Sequence, residues 1–290
     1  MSYEHEPTST TTLDVTDQSN VDIESSVTSI YQAFIEDSPR NIIITWSKSS
    51  TSHSLTITIE SRYDEDHQTC QIDFQSWQFW SRKGLKTLQV DDGRVDIFWD
   101  FRDVKFSINP DPCSCYYVAF VFDKEMVLLI GDLKAEALKR TMSKPSQVSP
   151  ILLHKEEILY GKNNFQTQVL LDDGQKEHNV VIENPSLRHG EQELRVSIDG
   201  RVVVRVMNLN WRFRGNETAL VNNVPVQIFW DVHDWLFNCP GSAHGLFIFK
   251  PGSLENVLDD GDHEGDEEDD DEEKPVVVGC CHFVFAVKVN

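Results

Sequence analysis

Two stretches of this chain carry residue types that could do chemistry. The first is Asp231-Val-His233-Asp234, with His244 ten residues further on. Two carboxylates and two imidazoles at that spacing could ligate a metal ion or work as an acid–base pair in a hydrolase. The second is an aromatic and basic stretch, Trp77-Gln-Phe79-Trp80-Ser-Arg82-Lys83-Gly84-Leu-Lys86, with a counterpart at Trp211-Arg212-Phe213-Arg214-Gly215. Cations beside tryptophans could engage a sugar, a nucleotide or an acidic peptide through stacking and cation–π contacts. These residues are read as a binding hairpin tip in each half of the chain.

A comparison within the chain separates the two candidates. Sliding the sequence by 131 residues aligns Trp80–Phe106 with Trp211–Phe237 without a gap, and 11 of the 27 positions are identical. VDIFWDFRDVKF (95–106) against VQIFWDVHDWLF (226–237) is the densest part, with 7 of 12 identical. The alignment reads as an internal duplication. At the first candidate, Asp100 and Asp103 recur while His233 is replaced by Arg102. Carboxylates kept without the histidine suit a turn or a strand-end cap better than a metal or catalytic site. No G-x-S-x-G elbow and no H-E-x-x-H helix offers another catalytic set, so no enzyme activity, catalytic residue, metal or cofactor is assigned.

The elements that must position these residues have period two. Leu55, Ile57 and Ile59 alternate with Thr56, Thr58 and Glu60, and Leu194, Val196 and Ile198 with Arg195, Ser197 and Asp199, as in half-buried strands. Asp199-Gly200 between LRVSI and RVVVRV is a strong two-residue hairpin signal, and Asp91-Asp92-Gly93, Asp172-Asp173-Gly174 and Asn222-Asn223 separate further runs. One segment departs from this pattern: Asp132-LKAEALKRTM-Ser143 predicts a helix, capped by Asp132 and supported by a Glu136–Arg140 pair. The expected fold is all-β, two tandem duplicated antiparallel units, each a sandwich or an up-and-down barrel, joined by one helix. The units are placed at 28–131 and 163–290, with 132–162 as connecting helix and linker and 1–27 as a disordered tail rich in Ser, Thr and acids.

Charge and composition narrow the partners. The net charge is −22, with 12 acidic residues between Asp259 and Glu273 and no Lys or Arg among them. So acidic a chain is unsuited to general nucleic-acid binding. Because VVVGCCHFVFAVKVN (276–290) reads as a final strand, the acidic run is expected as a disordered loop, 257–274, inserted into the second unit. No apolar run is long enough to span a bilayer, and neither a secretory signal nor a transit peptide is visible. The six cysteines form no C-x-x-C pair, which points to a reducing compartment, cytoplasmic or nuclear.

WQFWSRKG (77–84), VDIFWDFRD (95–103), LLIGDLKAEALKRT (128–141), LRVSIDGRVVV (194–204), NWRFRGNETALVNNVPVQIFWDVHDWLF (210–237) and HGLFIFKPG (244–252) together resemble a land-plant family known only as domain of unknown function 868. The resemblance runs from about Val27 to Pro251 and resumes in the final strand. It departs from the family pattern at Ser76, where a Pro is usual, and at Cys115, where a Gly is usual. It implies a plant protein and transfers no catalytic residue. The function expected from the sequence is a non-enzymatic binding or adaptor module that contacts an unidentified protein partner. A carrier for a small apolar ligand is the alternative, and a hydrolase or metalloenzyme at Asp231, His233, Asp234 and His244 ranks below both.

Overall fold

The computed structural model describes residues 25–36, 38–50, 52–61, 67–74, 82–171, 177–185, 192–237, 243–252 and 280–289. Of the tail expected over 1–27, residues 1–24 lie outside the described residues, as do Trp77 and Trp80, the Asp172–Gly174 turn and the acidic loop, while Ser25 to Val27 begin a strand that buries Val27.

In chain order, β1 (Ser25–Ile35), β2 (Ser38–Lys48), β3 (His53–Glu60) and β4 (His67–Asp73) make a first meander. A second meander follows: β5 (Lys83–Val90), β6 (Gly93–Asp100), β9 (Tyr117–Phe122) and β10 (Glu125–Gly131), interrupted by a short excursion, β7 (Lys105–Phe106) and β8 (Pro112–Ser114). Then come α1 (Lys134–Thr141), β11 (Lys144–Pro145) and β12 (Ile151–Gly161). The second half comprises β13 (Asn164–Leu170), β14 (Glu177–Glu183), β15 (Leu194–Ile198) and β16 (Arg201–Val206), then β17 (Arg214–Val221), β18 (Val224–Asp231), the single turn α2 (His233–Phe237), β19 (His244–Pro251) and β20 (Cys281–Lys288).

The alternation read in the sequence places side chains as expected. Leu55, Ile57 and Ile59 are buried while their neighbours on β3 are half-buried. Asp199 and Gly200 both have positive φ, 50° and 80°, as a type I′ turn requires, and Asn222 and Asn223 do the same at 49° and 68°.

None of the sheets closes into a barrel, so the fold is an all-β sandwich. Its two halves are not separate bodies in tandem. A nine-stranded sheet, β17-β18-β19-β20-β12-β1-β2-β3-β4, runs through both, and β12 joins them by pairing antiparallel with β1 and parallel with β20. The segment read as linker up to residue 162 therefore contains the central strand, and the all-antiparallel expectation fails at this pair, because periodicity carries no information on strand direction.

Cross-strand partners share a face of a sheet. Trp46 faces Val27, Val27 faces Glu157, Glu157 faces Val284 and Val284 faces Phe247. The nine strands thus have one inner face. The sheet β11-β10-β9-β6-β5 covers one half of it, closing a core that includes Ile44, Trp46, Ile97 and Phe120. The sheet β13-β14-β15-β16 covers the other half, over Val180, Val196, Phe247 and Val284.

Helix α1 packs on the outer face of the five-stranded sheet, with Ala137 against Tyr117, Ala119 and Met126. Its expected cap and pair are used elsewhere. Asp132 Oδ1 accepts the Tyr116 amide at 3.1 Å, and Arg140 donates to the Trp99 and Gly84 carbonyls at 3.1 and 2.9 Å.

Strands β5 and β17 lie 131 residues apart, as do β6 and β18, and both pairs set a glycine opposite a tryptophan: Gly84 to Trp99 and Gly215 to Trp230. A Cβ at Gly84 would lie 2.1 Å from the Trp99 ring, and one at Gly215 2.4 Å from the Trp230 ring. Each indole lies on bare backbone, so overpacking should be costly at both places. Gly84→Ala and Gly215→Ala are each expected to lower stability by about 1–3 kcal/mol, read as an earlier urea midpoint with an unchanged slope.

Candidate functional site

The residues singled out at the second-half turn and at the Asp/His stretch converge on one end of the second unit. Strand β17 pairs with β18 in the nine-stranded sheet while β16 belongs to the covering sheet, so Trp211 and Arg212 sit in the crossover between the two layers and not at a hairpin tip. The crossover is tightly held. The Trp211 and Arg212 amides donate to the Asn208 and Leu209 carbonyls at 2.9 and 3.1 Å, Trp230 Nε1 donates to the Arg212 carbonyl at 3.1 Å, and Leu209 is fully buried. Held in this way, Trp211 remains 88% exposed. Arg214 lies over the Phe213 ring at 5.5 Å and donates through Nε to Asp231 Oδ2 at 2.7 Å. Phe213 meets the His233 and Phe237 rings at 5.3 and 5.8 Å, and Phe237 is itself 55% exposed.

The four Asp/His residues do not act as one set. Asp231 is committed to Arg214 and to the His233 amide, which its Oδ1 accepts at 3.1 Å. Asp234 stands between the imidazoles, with His233 Nδ1 at 3.3 Å and His244 Nδ1 at 3.8 Å. Among the described residues no group of three or more His, Cys, Asp or Glu is placed to hold a metal ion. The first unit shows what the recurring aspartate does. Asp100 Oδ1 accepts the Arg102 amide at 3.3 Å, and its carboxylate binds the Arg102 guanidinium at 2.8 Å and Lys83 Nζ at 3.0 Å. Burial alone would raise its pKa, but these two cations hold it down at about 2. In both units the aspartate closes the end of a strand and pairs with a cation on the neighbouring strand. The other basic residues of the first half are dispersed: Arg82 is half-buried and Lys86 lies against the buried Cys70 thiol.

The seam between the two covering sheets holds a cluster that sequence reasoning missed. A cavity of about 300 Å³ opens there, lined by Tyr31 and Lys155 from the central strands, Asp111 and Tyr116 from the first unit, and Gln168 and Glu177 from the second. Lys155 is buried in its floor, with Nζ 3.3 Å from Asp111 and 3.4 Å from Glu157. Glu157 is wholly buried; it accepts from the Thr167 hydroxyl and lies 3.3 Å from His282 Nε2. Burial opposes the charge on both groups and is outweighed. Asp111, Glu157 and Glu177 raise the Lys155 pKa above the lysine range, and His282, Lys155 and Thr167 hold Glu157 below the carboxylate range. Tyr116 is pushed up by burial and then by Asp111, Asp132 and Glu177 among its neighbours. These residues escaped notice because His154, Lys155, Glu156 and Glu157 place charge on both phases of β12, which leaves no apolar alternation to read. A carrier for a small apolar ligand would enclose it inside one unit, whereas this cavity lies between the units and has Asp111, Asp132, Lys155 and Glu177 among its lining.

Removing one member of a buried ion pair leaves the other uncompensated. Lys155→Met is expected to cost about 3–5 kcal/mol in urea unfolding. Glu157 has a lowered folded pKa, so its contribution is full above the unfolded glutamate value, about 4.3, and is lost as pH falls through the folded one. Glu157→Gln should therefore give a shallower loss of stability than the wild type on acidification below about pH 4.5.

No curated protein and no solved structure matches this chain. The family model described as plant protein of unknown function (DUF868) matches residues 22–288, which takes in both covering sheets, the shared nine-stranded sheet and the exposed crossover, and the chain belongs to that family.

Proposed function

We propose that this protein is a non-enzymatic binding module that acts through protein contacts, and that the Trp211 end of its second unit is the docking surface. The observation that carries the reading is Trp211 itself, 88% exposed on a crossover pinned by backbone hydrogen bonds. Tryptophan and arginine dominate the energetics of protein interfaces, and an anchor already held in place loses little conformational freedom on binding. Arg212, Arg214 and Phe237 are exposed around it and supply a basic and aromatic rim. On a chain of net charge −22, Arg212 and the Asp231-paired Arg214 beside an open indole suit a partner segment that is acidic and carries an apolar side chain to cover the indole. The five described cysteines are free thiols, which fits work in a reducing compartment, the cytoplasm or the nucleus.

The test is proximity labelling in plant tissue with the wild type and with a Trp211→Ala/Arg212→Glu variant whose urea midpoint matches it. A discrete set of neighbours should be lost with the variant, and the affinity of a purified neighbour should fall about thirtyfold for Trp211→Ala alone, the scale of an interface hot spot. Recovery of the same neighbours by both proteins would overturn the proposal.

A further inference from the structure

We propose that the cavity at the seam between the covering sheets is a binding site for a small primary amine with a short aromatic or apolar body. This reading does not rest on the Trp211 surface. The cavity, about 300 Å³, is at the small end of ligand sites and takes walls from both units.

Its charge inventory favours a cation. Asp111, Asp132 and Glu177 line it, against the single ammonium of Lys155. That ammonium is already engaged by Asp111 and by Glu157 beneath it, so it is poorly placed to bind an added anion. Lys155 is paired with Asp111 and Glu157, which leaves Asp132 and Glu177 of the lining outside its ion pairs. Asp132 has one oxygen on the Tyr116 amide, and Glu177 lies near enough to act electrostatically on both Lys155 and Tyr116. An ammonium group brings three donors and no acceptor, which is the complement such a site lacks. Burial raises the Tyr116 phenol pKa first, and the neighbouring carboxylates Asp111, Asp132 and Glu177 add to the rise in the direction a negative cleft would.

The rest of the lining sets the body of the ligand. Trp46 and Tyr116, whose rings meet edge to face at 5.9 Å, together with Ile44, Ile130 and Leu152, give a wall of apolar and aromatic edges. Aromatic groups beside carboxylates form a recurrent environment for organic cations. A long polyamine would leave most of its charges outside a cavity of this size, whereas one ammonium on a single ring fits.

Tyramine is the probe, compared by calorimetry on the full chain with 4-hydroxyphenylacetate, which has the same body and the opposite charge. Tyramine should bind and the anion should not. Glu177 is exposed, so Glu177→Gln should fold normally; it is expected to weaken tyramine at least fivefold, while Trp211→Ala leaves its affinity unchanged. Asp111→Asn should weaken it further and also lower stability, since it loosens Lys155. Absence of tyramine binding, equal binding of the anion, or full affinity in Glu177→Gln would each overturn the assignment.

Discussion

Strand β12 has a neighbour in each half of the molecule, and its buried side chains are divided between the halves in the same way. Its backbone pairs with β1 on one side and β20 on the other. On its inner face Lys155 reaches Asp111 in the first unit, while Glu157 takes Thr167 and His282 from the second. A buried ion pair adds little net stability over a well-packed apolar pair, because desolvation offsets most of the attraction. What it fixes is register. Sliding β12 by one residue would turn every side chain to the opposite face and strand two charges against solvent-side neighbours. The partners of Lys155 and Glu157 thus specify which residues of the two units meet.

From that joint follows the layout of the surface. Because the nine strands share one inner face, the two covering sheets must sit side by side on it, and a seam between them over β1, β12 and β20 is unavoidable. The excursion through β7 and β8 brings Asp111 to the seam, and β13 and β14 bring Gln168 and Glu177 to it. The crossover from β16 to β17 has the opposite role. It ties the outer edges of the two layers together, with Leu209 inward and Trp211 outward. The proposed protein-contact surface and the proposed ligand cleft are therefore separate consequences of one arrangement.

The sequence resolves local structure better than assembly. Alternation in β3 and β15, the positive-φ turn at Asp199-Gly200 and the residues of β5, β6, β17 and β18 could be read because each depends on neighbours within a hairpin. Asp100 and Asp231 could be read as strand-end caps because the loss of His233 in the first half argued against a metal role. The join could not be read. β12 carries charge on both of its phases and finds its parallel partner more than a hundred residues later, and neither fact leaves a periodic trace. Asp132 was misassigned for a related reason: a helix cap and a tie to the Tyr116 amide look alike until the neighbouring strand is in place.

The central claim is that β12 makes the two units one cooperative body, and hydrogen exchange followed by mass spectrometry tests it most directly. Residues 155–158 have a paired strand on each side, so their amides should exchange as slowly as those of β3 and β18, through global unfolding alone. Fast exchange at 155–158 while β3 and β18 stay protected would show two independent units held by a loose connector, and would contradict the account.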